Sequence, residues 1–163
     1  MRGEKRLLDA LLKTYRHLEK RTKESATFVE KLYEENREAQ LIRTIPGFGK
    51  YLSVLVAVEI ADLSRFADAA HLHAYAGVIP SVHSSGDNTY YGKIIRAGNR
   101  RLRWAAVEAV WPAIRADFDL RCFYERLARR KGANKAKVAA ARRLLTIVYK
   151  VWKEQRNYIP YRR

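Results

Sequence analysis

The sequence has little sulfur, few acidic residues and no long apolar run. Cys122 is the only cysteine among 163 residues, which excludes an internal disulfide and a multi-cysteine zinc site. No apolar run approaches the roughly 18 residues that span a bilayer, and no charged-then-apolar leader opens the chain. We therefore expect no membrane span and no export signal, and a reducing cytoplasm fits the single cysteine.

The few acidic residues are unevenly distributed along the chain. The chain holds 33 Lys and Arg against 17 Asp and Glu, a formal net charge of +16. Residues 1–80 carry 13 basic and 11 acidic side chains, whereas residues 81–163 carry 20 basic and 6 acidic ones. This asymmetry indicates a polyanion bound mainly by the second half. Nucleic acid fits better than a membrane surface, because Trp and Phe do not gather on one basic helix face.

The first forty residues predict one long helix, because they contain no proline and no glycine beyond Gly3. Apolar residues recur in a heptad, which predicts a coiled coil that joins copies of the chain into a homo-oligomer. Asn36 occupies a core position of that heptad, where a buried Asn fixes the register. An amphipathic helix that folds back on its own domain is the alternative. The heptad positions are Leu8, Leu11, Tyr15, Leu18, Thr22, Ser25, Val29, Leu32, Asn36 and Ala39.

Residues 41–61 predict a helix-hairpin-helix around the sequence I-P-G-F-G. Gly47 and Gly49 are expected to supply backbone with positive φ, and Phe48 to fill the space between the helices. The free N–H groups that open the second helix, together with Lys50, would then bind a phosphate oxygen. A tight turn without a ligand is the alternative.

Residues 77–104 hold the densest polar chemistry. Ser84 and Ser85 open a turn-forming S-S-G-D-N cluster, and the residues after it favour β-structure, so a small irregular or β-hairpin insert is expected near 81–95. Guanidinium groups can neutralise a phosphodiester that a serine attacks, although a Ser-Ser-Gly loop by itself is more typical of a plain turn. The basic residues that follow the serines are Lys93, Arg96, Arg100, Arg101 and Arg103.

The last segment, residues 105–163, is predicted to be helical and strongly basic. Between residues 121 and 143, nine basic side chains are opposed only by Glu125. A charge run is usually a solvated face, but so uneven a ratio favours a surface that follows phosphates. The candidates for phosphate contacts in this segment are Arg129, Arg130, Lys135 and Lys137.

The order of these motifs resembles the C-terminal domain of insertion sequence 110/116/902 transposases. The resemblance covers about residues 36–155, and it departs from the family pattern at His83, Ile95 and Arg96. The matching segments are I-P-G-F-G (45–49), R-F-A-D-A-A-H-L-H-A-Y-A-G-V-I-P (65–80), H-S-S-G (83–86), G-K-I-I-R-A-G-N-R-R-L-R (92–103) and A-x-x-A-A-A-R-R-L-L (136–145).

The resemblance implies site-specific DNA recombination. Members of the family join a RuvC-like N-terminal domain, with metal-binding Asp and Glu residues, through a coiled coil to this C-terminal domain, and a bridge RNA guides those that are understood. A serine of the Ser-Gly motif acts as nucleophile, which carries over to Ser85, with Ser84 as the neighbouring alternative. The chain would then begin inside the coiled coil, as a fragment or truncated element that does not move DNA on its own.

We therefore predict an all-α fold, with a coiled-coil helix over 1–40 and a transposase C-terminal helical domain over 41–163. Its function would be DNA binding and serine-dependent recombination, with DNA, guide RNA and further copies of the chain as partners. The alternatives are a non-catalytic helix-hairpin-helix module that binds nucleic acid, and a structural oligomerisation protein. We expect no metal or cofactor in this chain, because His71 and His73 lack a third ligand. A divalent metal is expected only in the N-terminal domain.

Overall fold

The computed structural model describes the backbone of residues 2–85, 88–94 and 98–160, and the side chains of residues 4–79 and 98–160. Apart from one pair of short strands, this part of the chain is helical and begins with a long helix, which confirms the predicted all-α class. None of the helices in these ranges is long and apolar enough to cross a membrane. The helices are α1 (Arg2–Glu35), α2 (Arg37–Arg43), α3 (Lys50–Ile60), a 3-10 turn (Leu63–Arg65), α4 (Ala69–Ala76), α5 (Arg100–Glu108), α6 (Val110–Ala116), α7 (Phe118–Lys131) and α8 (Ala133–Glu154).

Helix α8 is the centre of the hydrophobic core. It contacts α2, α4, α5, α6 and α7. Apolar residues recur along it at intervals of three and four, so one face buries Leu144, Leu145 and Val148 in a single cluster with Ile42 and Leu72. Each such side chain contributes about 1.5–3 kcal/mol when it is fully buried.

The first helix ends earlier than the heptad predicts. Helix α1 stops at Glu35, and the Asn36 side chain caps α2 by accepting a hydrogen bond from the Ala39 N–H at 2.7 Å. The prediction of one helix through residue 40, with Asn36 in a coiled-coil core, is therefore wrong. The cause is local, because an Asn side chain satisfies a free N–H better at a helix start than inside a helix.

The two ends of α1 have different surroundings. Val29, Leu32 and Tyr33 in its last turns are partly buried against the core, as the fold-back alternative predicts. Leu8 and Leu11, near its start, are more than half exposed. The fold-back interpretation therefore holds for the end of α1 alone, and its first half presents an unpartnered apolar face.

The turn between α2 and α3 packs against the junction of α5 and α6. Gly47 has a φ of 95°, and a Cβ placed on it would collide with the carbonyl oxygen of Ala109. Phe48 is fully buried beneath the turn. Gly49 does not need positive φ, contrary to the prediction, because it is the extended N-cap of α3 with φ −74° and ψ 170°. Its position is open, with no atom within 4 Å of an added Cβ.

Two antiparallel strands pair between α4 and α5 and form a hairpin, with β1 at Pro80–Ser85 and β2 at Asn88–Ile94. Gly77 ends α4 in the left-handed conformation, and Gly98 lies against it before α5 begins. A Cβ on Gly98 would lie 2.5 Å from the Gly77 Cα, so only glycine permits this approach. The two ends of the hairpin segment are therefore held together at its base.

The residues after α8 fold back over the core. The Tyr158 N–H donates to the Thr44 hydroxyl at 2.9 Å, and the Tyr158 hydroxyl donates to the carboxylate of Asp117. Asp117 is buried and caps α7 through the Leu120 N–H. Burial raises the pKa of the Tyr158 hydroxyl most, and the hydrogen bond to Asp117 raises it further. The hydroxyl therefore remains a donor throughout the physiological pH range.

We predict that Gly47→Ala destabilises the fold by at least about 2 kcal/mol. A non-glycine residue at positive φ costs about 1–3 kcal/mol, and the collision with Ala109 adds to that cost. Gly49→Ala is the matched control, since its φ is negative and its surroundings are open. Chemical denaturation measures both variants, and equal losses would contradict the assigned role of Gly47.

Candidate nucleic-acid interface

Six basic side chains collect where α7 turns into α8. The turn at Gly132, which has a φ of 83°, brings the last turns of α7 next to the first turns of α8. None of the six forms an ion pair with any residue whose side chain the structure describes, and five of them are exposed. We call this set the α7–α8 basic cluster: Arg126, Arg129, Arg130, Lys131, Lys135 and Lys137.

The charges at the start of α8 work against its own stability. The first turn of α8 contains no acidic residue, and its N-cap, Gly132, has no side chain to cap it. Lys135 therefore adds to the positive end of the helix dipole, which costs a few tenths of a kcal/mol. An anion bound at this end of the α7–α8 pair would remove that cost.

A second set of predicted residues lies at the start of α5, at the base of the hairpin. The Asn99 side chain caps α5 through the N–H groups of Arg101 and Leu102, and its amide donates to the Glu59 carboxylate at 2.7 Å. Arg101 donates to the other oxygen of Glu59 at 3.2 Å, and Arg103 donates to the Gly77 carbonyl at 3.3 Å. Arg101 and Arg103 thus hold the hairpin base.

Arg100 differs from its neighbours in this set. Its side chain is exposed and has no polar partner among the described residues. Of the three arginines at the start of α5, it is the one for which the described residues supply no partner.

The serines lie at the far end of the hairpin from this base. Ser84 pairs with Thr89 and Ser85 with Asn88, the last two pairs of the ladder. The side chains of Ser84, Ser85 and Lys93, and the whole of Arg96, lie outside the described residues. Their predicted roles as nucleophiles and phosphate ligands remain predictions.

Lys50, predicted to bind a phosphate, has a carboxylate partner in this structure. Its ammonium forms an ion pair with Glu30 of α1 and lies 5.4 Å from the centre of the Tyr33 ring. Both side chains of the ion pair remain close to half exposed, at 45% and 44%. The pair is therefore open to solvent and to exchange for another anion.

The two histidines of α4 bind separate partners. His71 contacts Asp68 at 2.8 Å, and His73 contacts the Thr146 hydroxyl at 3.0 Å. Burial, and next the charge of Arg142, lower the pKa of the His73 imidazole.

Comparison with known proteins places these features in a family. A model described as the transposase IS116/IS110/IS902 family matches residues 39–125, more than half of the chain. The pilin gene-inverting protein of Moraxella bovis is 35% identical over 131 residues, 77% of this chain and 40% of that protein. This chain belongs to the IS116/IS110/IS902 transposase family.

Two further relatives show the same pattern of coverage. The 43.6-kDa protein of insertion element IS110 from Streptomyces coelicolor is 29% identical over 78% of this chain and 32% of its own length. The transposase for insertion sequence element IS1111A from Coxiella burnetii is 28% identical over 76% of this chain and 35% of its own length. The chain thus spans 32–40% of the length of these transposase-family relatives.

The family segment contains contacts that sequence reasoning missed. No pattern in the sequence singles out Glu59 as the partner of Asn99 and Arg101, because 40 residues separate the two regions. Nothing in the heptad identifies Glu30 as the partner of Lys50. Trp104 and Trp111 are about half exposed, and their spacing of seven on a helix was a detectable signal.

We predict that Glu30→Gln strengthens binding of this transposase-family chain to nucleic acid, because it releases Lys50 from its carboxylate partner. Lys50→Ala should weaken binding, and should change the free energy of unfolding by less than about 1 kcal/mol, as expected for an exposed ion pair. Fluorescence anisotropy with a labelled duplex measures the affinities.

Glu34→Gln is the matched control, since it removes the same charge from an exposed position on the same helix. An equal gain in affinity for both Gln variants would show that net charge alone is responsible. If Lys50→Ala binds like the parent, the α2–α3 turn is only a turn.

Proposed function

We propose that this chain is the DNA-binding, serine-bearing part of a transposase that performs site-specific recombination, guided by RNA in the intact enzyme. The observation that carries the proposal is the α7–α8 basic cluster, six cations without an ion-pair partner among the described residues, in a chain of the IS116/IS110/IS902 transposase family. Cations placed against a helix dipole are stabilised when a phosphate backbone approaches them.

The hairpin supports the serine-dependent part of the proposal. Its base is held by a contact between two glycines and by the Glu59 carboxylate, and the two serines lie at its opposite end. Covalent catalysis requires a firmly held support, because the nucleophile must meet one phosphodiester in one geometry. Ser85 is the proposed nucleophile, and Ser84 is the neighbouring candidate.

The exposed half of α1 supports the proposed homo-oligomer. Its apolar side chains recur at heptad spacing but pack against no other described element. Pairing with the same helix of another copy would bury them in a coiled coil. The exposed heptad residues are Leu8, Leu11, Tyr15 and Leu18.

The second candidate function is a nucleic-acid-binding module without chemistry. The turn between α2 and α3 favours it, because the first turn of α3 has no side-chain cap and Lys50 stands at its start. In that case this chain would still bind nucleic acid, and any covalent product with DNA in a longer protein that contains it would not depend on Ser84 or Ser85.

We predict that duplex affinity falls linearly with salt on a log–log scale, with a slope of about −0.9 for each phosphate bound. Arg129→Glu combined with Arg130→Glu should weaken binding to all sequences alike and reduce the slope by about 1 for each phosphate that the variant no longer binds. Titration at several salt concentrations measures both quantities.

Lys20→Glu combined with Lys23→Glu is the control for the charge reversal. It changes the net charge equally, but on the exposed helix α1, where the two lysines pair with Glu24 and Glu19. An affinity that does not change with salt, or an equal effect of both double variants, would contradict a phosphate-binding α7–α8 basic cluster.

We predict that Ser85→Ala abolishes a covalent protein–DNA adduct in the full-length transposase and leaves DNA affinity unchanged. A serine hydroxyl forms a bond to the phosphorus and releases the deoxyribose oxygen as the leaving group, so a nicked suicide substrate traps the adduct. Denaturing gel electrophoresis detects the trapped product.

Ser84→Ala is the matched variant, and it should only reduce the yield of adduct. An adduct that persists in Ser85→Ala and disappears in Ser84→Ala would move the nucleophile by one residue. Persistence in both variants would favour the non-catalytic module.

A further inference from the structure

Two tryptophans are exposed along one face of the α5–α6 segment. Trp104 is 48% and Trp111 is 43% exposed, in a protein whose third tryptophan, Trp152, is only 8% exposed. Ala109 links α5 and α6 with helical backbone angles, so positions seven residues apart remain on one face. We call Trp104 and Trp111 the aromatic stripe.

Each ring of the stripe is held in place by a tyrosine from another helix. Tyr51 of α3 contacts Trp104 edge-on with ring centres 6.3 Å apart, and Tyr124 of α7 contacts Trp111 in the same way at 5.5 Å. Two neighbouring helices thus orient rings that the hydrophobic core does not use. A partly exposed ring that already contacts a neighbouring ring needs little further ordering when it binds a flat partner.

The aromatic stripe lies between positive charges. Tyr51 follows Lys50 on α3, and the ammonium of Lys137, in the α7–α8 basic cluster, lies over the Trp111 ring at 5.6 Å from its centre. A base that stacks on this face takes the place of the ammonium. Along the helix face, exposed Arg100 precedes Trp104 by one turn, and exposed Arg115 follows Trp111 by one turn. Alternation of cations with aromatic rings is the arrangement by which proteins follow an unpaired nucleic-acid strand.

The one acidic residue on this face separates its two rings. Glu108 is exposed, one turn after Trp104 and almost one turn before Trp111. A carboxylate repels phosphates at this point, so a bound strand would turn its bases to the centre of the face and its phosphates to the arginines. The rings are about 10 Å apart along the axis at 1.5 Å per residue. Stacked nucleotides of a duplex strand are only about 3.4 Å apart, so bases at both rings must be unstacked from each other.

We propose that Trp104 and Trp111 stack on unpaired bases of a single DNA strand. This inference rests on the proposed function, because a recombinase must open a duplex before its strands can exchange partners. The stripe binds the opened strand, and the α7–α8 basic cluster binds the phosphate backbone beside it. Base stacking on aromatic rings tolerates any sequence, since every base has a π-face.

The test measures affinity of the 163-residue chain for a fluorescein-labelled oligothymidine of about 12 nucleotides, by anisotropy. Trp104→Ala and Trp111→Ala should each weaken binding about tenfold. Binding to a duplex of equal length should change less than about twofold, and the salt slope should remain that of the parent, because the same phosphates remain bound. Phe28→Ala is the control, since it removes an exposed aromatic ring from α1.

Tryptophan emission supplies a second readout that does not depend on affinity. Bound oligothymidine should quench the parent, whereas Trp104→Phe combined with Trp111→Phe leaves only buried Trp152 and should show no quenching. The Phe rings preserve a stacking surface, so this double variant should retain more affinity than the Ala variants.

The outcomes distinguish a failure of the base-stacking proposal from a failure of the proposed function. If the Ala variants bind oligothymidine like the parent while the Arg129 and Arg130 reversals weaken binding, the stripe is overturned and DNA binding stands. Equal losses on single strand and duplex would also overturn it. A tighter, Trp-dependent complex with oligouridine would overturn the assignment to DNA. A parent that binds no nucleic acid would refute the proposed function and the stripe together.

Discussion

The backbone of Gly98 lies against the backbone of Gly77, and the arrangement of the hairpin and α5 depends on this approach. A side chain at Gly98 would separate the strand ends, because the distance leaves no room for a Cβ. Glu59 then fixes the direction of α5 by binding Asn99 and Arg101. The contact between the two glycines and the bonds to the Glu59 carboxylate thus determine where the serine-bearing strands leave the core. They also determine which residues α5 presents to solvent.

The hydrophobic core and the charged surface have opposite effects on the stability of the fold. Helix α8 buries an apolar face that joins most of the other helices, while its first turn carries Lys135 next to the positive end of its dipole. A few buried side chains of the core together contribute several kcal/mol to the stability of the fold. This exceeds the few tenths of a kcal/mol that a positive charge at the start of a helix costs. The fold can therefore tolerate a surface charge that is unfavourable for the isolated chain.

Particular residues show how far the sequence could be interpreted. The positive φ of Gly47 and the burial of Phe48 follow from local chemistry, and the structure contains both. The predicted position of Asn36 is wrong because an Asn here fits both a core position of the heptad and the N-cap of a helix. The predicted positive φ of Gly49 is wrong because a glycine after a turn is typical of either positive φ or an open N-cap. The sequence does not distinguish these two conformations.

The amino-acid sequence by itself determined the helical class, the positive second half and the position of the serines between two helices, since each depends on residues close together in the chain. Only the tertiary structure decided which charges remain free. Lys50 and Arg101 look like their neighbours in the sequence, yet Glu30 and Glu59 neutralise them across 20 and 42 residues. The tertiary structure likewise decided that Trp152 is buried while Trp104 and Trp111 are exposed. Burial and ion pairing are properties of contacts between distant segments, and those contacts exist only after the chain has folded.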